Sequence, residues 1–425
     1  MSERFIRPAA LGVAVMVLGL ASARDVDAQV SDSTRVSDST AAGARGQVSD
    51  STRAADSTRA AAQAQAEPEE RAPRWRTSYF PYLTGGANDS PVFAFSVRHF
   101  QPAEYEARST YTAALNVDAG IAPKGSRYLL ATFRAPGLWD GWRLAAIAGA
   151  LREARLGYFG LGNDTEFHPD SVTDENPFLY RVRRNRYRVG AELTRRIHGA
   201  FQVAFQGGYT HAHFTSLPED SKFVEDFPTG EIKDDDVSGR LALVYDTRDN
   251  EFNTHQGLLL EAGTQVGSGG DGYTRQYAIL RGYLTVREGT VLAGRLAGSG
   301  MGGTPPLDTR FSIPGWEREV PVLGGQYSHR GLDFGRLTGT GVLLGNFEIR
   351  HDLLSLGDLG GITLVAFLDA GRVFEGEDFR LTTEDMKVGG GGALALRLMR
   401  GTIFTLNYGR GPDGGKWSVG SGWMF

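Results

Sequence analysis

Gly324-Gly325-Gln326-Tyr327-Ser328-His329-Arg330-Gly331-Leu332 is a glycine-rich turn with one arginine embedded in it. Two strand-like runs follow: Val342 to Arg350, carrying Glu348, and Ile362 to Phe374, carrying Asp369. Side chains alternate between faces along a strand, so each carboxylate can point away from the apolar face of its own strand. If the turn folds back over the two strands, one guanidinium meets two carboxylates. An arginine fork takes a carboxylate through two parallel hydrogen bonds, which fixes geometry in a partly dry interior.

Around this stretch the sequence alternates. In Ile362-Thr363-Leu364-Val365-Ala366-Phe367-Leu368-Asp369 one row reads Ile, Leu, Ala, Leu and the other Thr, Val, Phe, Asp. From Trp75 onward, segments of roughly ten residues repeat this texture between turns, the sequence pattern of a membrane barrel. Sixteen strands are predicted, the first at Thr77–Leu83 and the last at Trp417–Phe425. The sixth is placed at Tyr180–Arg196, the eighth at Val237–Thr247 and the eleventh at Thr290–Ser299. Pro81 interrupts the first, as an edge strand tolerates.

Strand spacing alone also fits a soluble sandwich or barrel. The connections separate the two. Long ones, Glu153–Leu179, Ser216–Asp236, Gly300–Thr340 and Glu375–Met386, alternate with tight turns such as Ile197–Ala200 and Glu288–Gly289. Long loops on one side and short turns on the other mark an outer-membrane barrel with both ends in the periplasm. Leu292 and Leu296 share a face and Arg295 takes the other, as expected if the arginine faces the lumen. Arg181, Arg183, Arg184, Arg186 and Arg188 occupy both faces of the sixth strand, so its first half is expected above the membrane.

Ahead of Trp75 the chain changes character. Arg4 and Arg7 precede an apolar run from Ala9 to Ala21, followed by small residues up to Ala28. This is the layout of a secretory signal peptide, 1–28, with a membrane anchor as the alternative. Asp-Ser-Thr then recurs at Asp32, Asp38, Asp50 and Asp56, in a stretch without aromatic residues. Residues 29–74 cannot bury enough apolar surface to offset their ordering entropy and read as a disordered periplasmic linker or a binding repeat. Residues 75–425 are the barrel: an all-β, transmembrane, sixteen-stranded antiparallel fold.

Among 425 residues there is no cysteine, which excludes disulfides and thiolate chemistry. A net charge of -5 with both signs intermixed does not point to nucleic acid. The 57 glycines fit barrel packing and lumen clearance. No serine sits in a nucleophile elbow and no phosphate-cradling loop is present. His211 and His213 share a face near the acidic run Glu231, Asp234, Asp235 and Asp236, a weak candidate for a metal or catalytic water. The reading is a non-enzyme with no cofactor and no metal.

Three stretches resemble the BamA/TamA superfamily of outer-membrane barrels, the bacterial surface antigens. Tyr245-Asp246-Thr247-Arg248-Asp249-Asn250, with Gly257 after it, is similar to the family's periplasmic-turn signature. Gly324-Gly325 through Arg330-Gly331 resembles its sixth external loop, and Phe367-Leu368-Asp369-Ala370-Gly371 the strand that receives the loop. Tyr158-Phe159-Gly160-Leu161-Gly162-Asn163 is a fourth stretch of the same kind. The resemblance implies a loop lock in which Arg330, beside Gly331, is held by Glu348 and Asp369; plain structural ion pairing is the other reading. His329 and Leu332 stand where the family has an apolar and an aromatic residue, so the loop tip is expected to pack differently. Ser418, Gly420, Trp423 and the terminal Phe425 resemble the signal read by the barrel-assembly machinery; an ordinary last strand with an aromatic girdle is the alternative.

The resemblance implies insertion or translocation of protein or lipid at the outer membrane. The family's POTRA domains do not fit between the cleavage site and Trp75, so a separate periplasmic partner is expected, beside outer-membrane lipid and lipopolysaccharide. The alternative is a passive channel or structural barrel.

Overall fold

The computed structural model describes residues 74–84, 89, 91–104, 107–217, 220–376, 382–398 and 402–425. The leader, 1–28, and all of the 29–74 segment except Arg74 lie outside the described residues.

The described residues form one sixteen-stranded antiparallel sheet rolled into a nearly closed barrel. Its first half is β1 (Arg76–Thr84), β2 (Val92–Pro102), β3 (Tyr111–Ile121), β4 (Arg127–Trp139), β5 (Trp142–Gly157), β6 (Arg181–His198), β7 (Phe201–Ser216) and β8 (Glu231–Asp246). The second half begins with β9 (Gly257–Gly267), β10 (Tyr273–Arg287) and β11 (Thr290–Gly303). A long connection then carries a two-stranded ribbon, β12 (Ser312–Ile313) and β13 (Val320–Pro321). The barrel resumes with β14 (Gly341–Ser355), β15 (Gly360–Phe374), β16 (Lys387–Leu398), β17 (Thr402–Gly411) and β18 (Gly414–Ser421).

Alternation sets the two faces. Leu296 is 60% exposed and its neighbour Arg295 2%. On β15, Leu364 and Leu368 face out while Thr363, Val365, Phe367 and Asp369 are buried. The exposed leucines, valines and aromatics form the apolar outer surface that a bilayer requires, and among the described residues no helix is long and apolar enough to cross a membrane.

The core sits inside the barrel. Residues 304–340 turn inward, and Ile313, Trp316, Val322, Leu323, Leu332 and Leu337 pack with inward residues of β7–β11, β14 and β15. Fully burying each such side chain contributes about 1.5–3 kcal/mol. A second cluster caps one end, where Tyr158, Phe214, Phe223 and Phe311 meet.

Each strand is hydrogen-bonded to both neighbours except at one seam: β1 and β18 are the two ends of the sheet and do not pair. They are short, 9 and 8 residues, against 16 in β5 and 18 in β6. Phe80 of β1 still reaches Phe404 of β17 across the seam, ring to ring at 6.3 Å.

Several strand ends differ from the sequence reading, β5 running on to Gly157 and β11 to Gly303 among them, and two such differences bear on the sites. The acidic run belongs to β8, not to a loop: Glu231 to Asp236 pairs with His211 to Thr215 and Thr210 of β7. Charged residues extend a strand wherever it rises clear of lipid, and the apolar pattern used to set the strand start stops at Val237. The last strand ends at Ser421 rather than Phe425, because Trp423, Met424 and Phe425 turn inward and are buried.

Candidate functional site

Arg330 enters the lumen at the tip of the inward loop. Its backbone N–H and its Nε each donate to Asp369 Oδ2 at 2.9 Å, and Nη2 donates to Asp369 Oδ1 at 2.8 Å. Nη1 donates to Glu348 Oε1 at 2.5 Å. The guanidinium lies over the Phe367 ring, 3.4 Å from its centroid. Asp369, Glu348 and Arg330 are all buried, so water cannot replace these bonds.

Neighbours complete the site. Asn346 donates to Asp369 Oδ1 at 2.8 Å and to the Ser328 carbonyl at 2.7 Å, while its own oxygen accepts from Arg295. Arg350 donates to the free Glu348 oxygen at 2.8 Å. Phe367 with Asp369, and Asn346 with Glu348 and Arg350, are same-face neighbours two residues apart.

The loop tip fits because the wall beneath it is glycine. A Cβ on Gly331 would lie 2.7 Å from the Gly411 backbone nitrogen, and one on Gly409 2.5 Å from the Arg330 carbonyl oxygen. His329 is buried beside Gly389 and donates through Nε2 to the Lys387 carbonyl at 3.0 Å. The histidine thus finds an acceptor where the family resemblance leads one to expect an apolar contact, and Leu332 joins the lumen core.

The turn after β8 forms a second cluster. Arg248 grips Asp246 through Nε at 3.0 Å and Nη2 at 3.1 Å, and Glu317 of the inward loop through Nη2 at 2.7 Å and Nη1 at 3.1 Å. Arg281 also donates to Glu317, at 3.1 Å. Burial pushes the Glu317 carboxyl up, but Arg248, Arg281 and Arg143 outweigh it and hold the group down at about 2. Asp249 Oδ1 caps the turn, accepting from the N–H groups of Asn250 and His255; Asn250 Oδ1 accepts from Phe252 and Asn253. Gly257 has φ 113°, and a Cβ there would meet the Thr247 oxygen at 2.4 Å, so glycine is required.

The Omp85 superfamily domain matches residues 124–409. The chain belongs to the Omp85 superfamily. No curated protein matches it. Solved structures that share the fold of this Omp85 barrel include BamA from Haemophilus ducreyi lacking POTRA domains 1–3, at 12% identity over 82% of this chain and 70% of that one, TM-score 0.53, and CdiB from Escherichia coli, at 12% identity over 81% and 61%, TM-score 0.52.

In this Omp85 barrel the C-terminal residues approach the other two motifs. Trp423 donates from its indole nitrogen to Asn253 Oδ1 at 2.8 Å. Arg318 donates to the Trp423 and Met424 carbonyls at 3.0 and 2.5 Å, and Arg350 to the Phe425 carboxyl end at 3.3 Å. Gly420 remains in β18, facing Gln326. The Tyr327 hydroxyl donates to the Ser421 carbonyl at 3.1 Å, so the inward loop ties down the end of β18.

Glu317, Arg281, Asn346 and Arg350 belong to these sites but were not singled out in the sequence, and Phe367 was quoted only as part of the receiving strand. Strand alternation identifies three of them, since Phe367, Asn346 and Arg350 share a face with a residue already singled out. Nothing local marks Glu317. His211 and His213 face outward, each matched to one carboxylate: Asp235 at 2.9 Å and Glu231 at 2.7 Å. Among the described residues no group of three or more histidines and carboxylates is placed to hold a metal ion.

Proposed function

We propose that this outer-membrane Omp85 barrel inserts or translocates protein or lipid, with the unpaired β1–β18 seam as the opening through which the substrate meets the bilayer. The observation that carries this reading is the seam itself. Exposed N–H and C=O groups on two short edge strands are a template for pairing with an incoming strand. In this reading the Arg330–Glu348–Asp369 contacts hold the inward loop in the lumen, and with it the end of β18 through Tyr327. Lipopolysaccharide around the barrel, the barrel-assembly machinery during biogenesis and a separate periplasmic partner are the proposed company, with the N-terminal segment in the periplasm.

The test uses purified barrel in liposomes and an unfolded small outer-membrane barrel, whose folding is followed by gel-mobility shift. Folding faster than in empty liposomes is the expected result. The natural chain has no cysteine, so one engineered cysteine on β1 and one on β18 can lock the seam. Oxidation should abolish the acceleration and reduction restore it; acceleration that survives a closed seam removes the proposal.

A passive channel is the second reading. It is favoured by a polar void of about 110 Å³ beside the inward loop, lined by Arg186, Arg240, Arg275, Asp236 and Glu319 among others. In that case Arg330→Ala raises single-channel conductance by freeing the loop.

A further inference from the structure

The arginines of β6 divide by face. Inward-facing Arg184 pairs with Glu153 and Asp308, and inward-facing Arg186 with Asp308. Outward-facing Arg183 forms no ion pair among the described residues, and its Nε is shielded without an acceptor. The same holds for Arg152 on β5. Arg127 on β4 lies directly opposite Arg152, which in turn lies opposite Asn185, two residues from Arg183 on the same face. Like charges placed directly opposite across two strands are destabilising, and among the described residues no carboxylate pairs with Arg127, Arg152 or Arg183 to relieve them.

Their height is informative. One step along the same face come Leu129, Ala150 and Tyr187, followed by Ala131, Ala148 and Val189; Leu129, Tyr187 and Val189 are exposed. The arginines therefore sit at the rim of the apolar band, on the side of the long β5–β6 connection. Lys124 is exposed in the short turn just before Arg127. Outward carboxylates further round, Glu231 and Asp235, are already engaged by His213, Lys233 and His211.

We infer that Arg127, Arg152 and Arg183 form a binding site for a phosphate monoester of the outer-leaflet glycolipid. A phosphate monoester carries close to two negative charges and enough oxygens to accept from more than one guanidinium fork, which a single carboxylate does not. The site rests on the outer-membrane reading of the barrel, because only there does a phosphate layer meet this rim.

The experiment places the full-length protein in phosphatidylcholine nanodiscs doped with bisphosphorylated lipid A and measures the lipid retained by native mass spectrometry. Incorporation, with a heat-modifiable gel shift, tests the membrane placement separately. Retention should fall about tenfold or more in the Arg127→Gln/Arg152→Gln double variant, and likewise with dephosphorylated lipid A. Arg127→Lys/Arg152→Lys should restore part of it. Equal retention by wild type and the glutamine variant overturns the inference. So does complete displacement of lipid A by millimolar inorganic phosphate, which would assign the site to free phosphate instead.

Discussion

Arg330 and Asp369, 39 positions apart in sequence, are joined by three hydrogen bonds, one from the arginine's backbone nitrogen and two from its side chain. The backbone bond means that Asp369 positions the chain of the loop as well as its charge. Removing one partner of a buried pair leaves the other charge uncompensated. Asp369→Asn and Arg330→Ala should each lower stability by about 3–5 kcal/mol. Arg330→Lys should rescue little, since a lysine cannot fork to Asp369 while reaching Glu348. Urea unfolding of the folded barrel in detergent, followed by the gel shift, measures all three; wild-type midpoints would exclude a lock.

The glycine floor under the loop tip predicts a contrast between substitutions of equal size. Gly409→Ala and Gly331→Ala push a methyl group into backbone that cannot move independently, and overpacking of this kind costs about 1–3 kcal/mol. Gly207→Ala, on the outer face of β7, meets nothing within 4 Å and should be tolerated. Protease cleavage within the loop should rise in the first two variants only.

Glu317 makes the fold acid-sensitive in a defined window. Its carboxyl is lowered from 4.5 to about 2 in the folded protein. A depressed carboxyl contributes stability that is fully present above its unfolded value and is lost as pH falls towards its folded value. Stability should therefore decline between about pH 4.5 and 2, and Glu317→Gln should flatten that part of the curve while lowering stability at neutral pH. An unchanged acid limb in the variant would show that Glu317 is not the group responsible.

The inward C-terminus predicts unequal roles for two tryptophans. Trp423→Phe removes the donor to the half-buried Asn253 amide oxygen, at a cost of about 0.5–1.5 kcal/mol. Trp417 is 70% exposed on β18, and Trp417→Phe should leave the unfolding midpoint in place. Acrylamide quenching checks the arrangement directly: Trp417 should be accessible from solvent or detergent and Trp423 shielded.

Much of this architecture was legible because strand alternation is local. Leu296 and Arg295 needed only their adjacency to be assigned to opposite faces, and the same logic placed Glu348 and Asp369 on the inward side. Strand ends were less legible where polar residues continue a strand beyond lipid, as at Glu231–Asp236, or where apolar residues leave it, as at Trp423–Phe425. In both cases polarity was a poor guide, because the lumen buries apolar side chains and the region above the membrane exposes polar ones.

The sequence by itself determined the strand count, the two faces and the side bearing the long connections, and it offered the arginine–carboxylate trio on the condition that the loop folds back. Each follows from a period of two or from one motif facing another. Only the tertiary structure decided that Glu317 bridges Arg248 and Arg281, that the C-terminal residues fold under Arg318 and Arg350, and that β1 and β18 stay unpaired. These depend on the path of a loop through a closed space and on which charges remain without partners there. No local pattern carries that information, because the energy of a buried charge is set by every group around it.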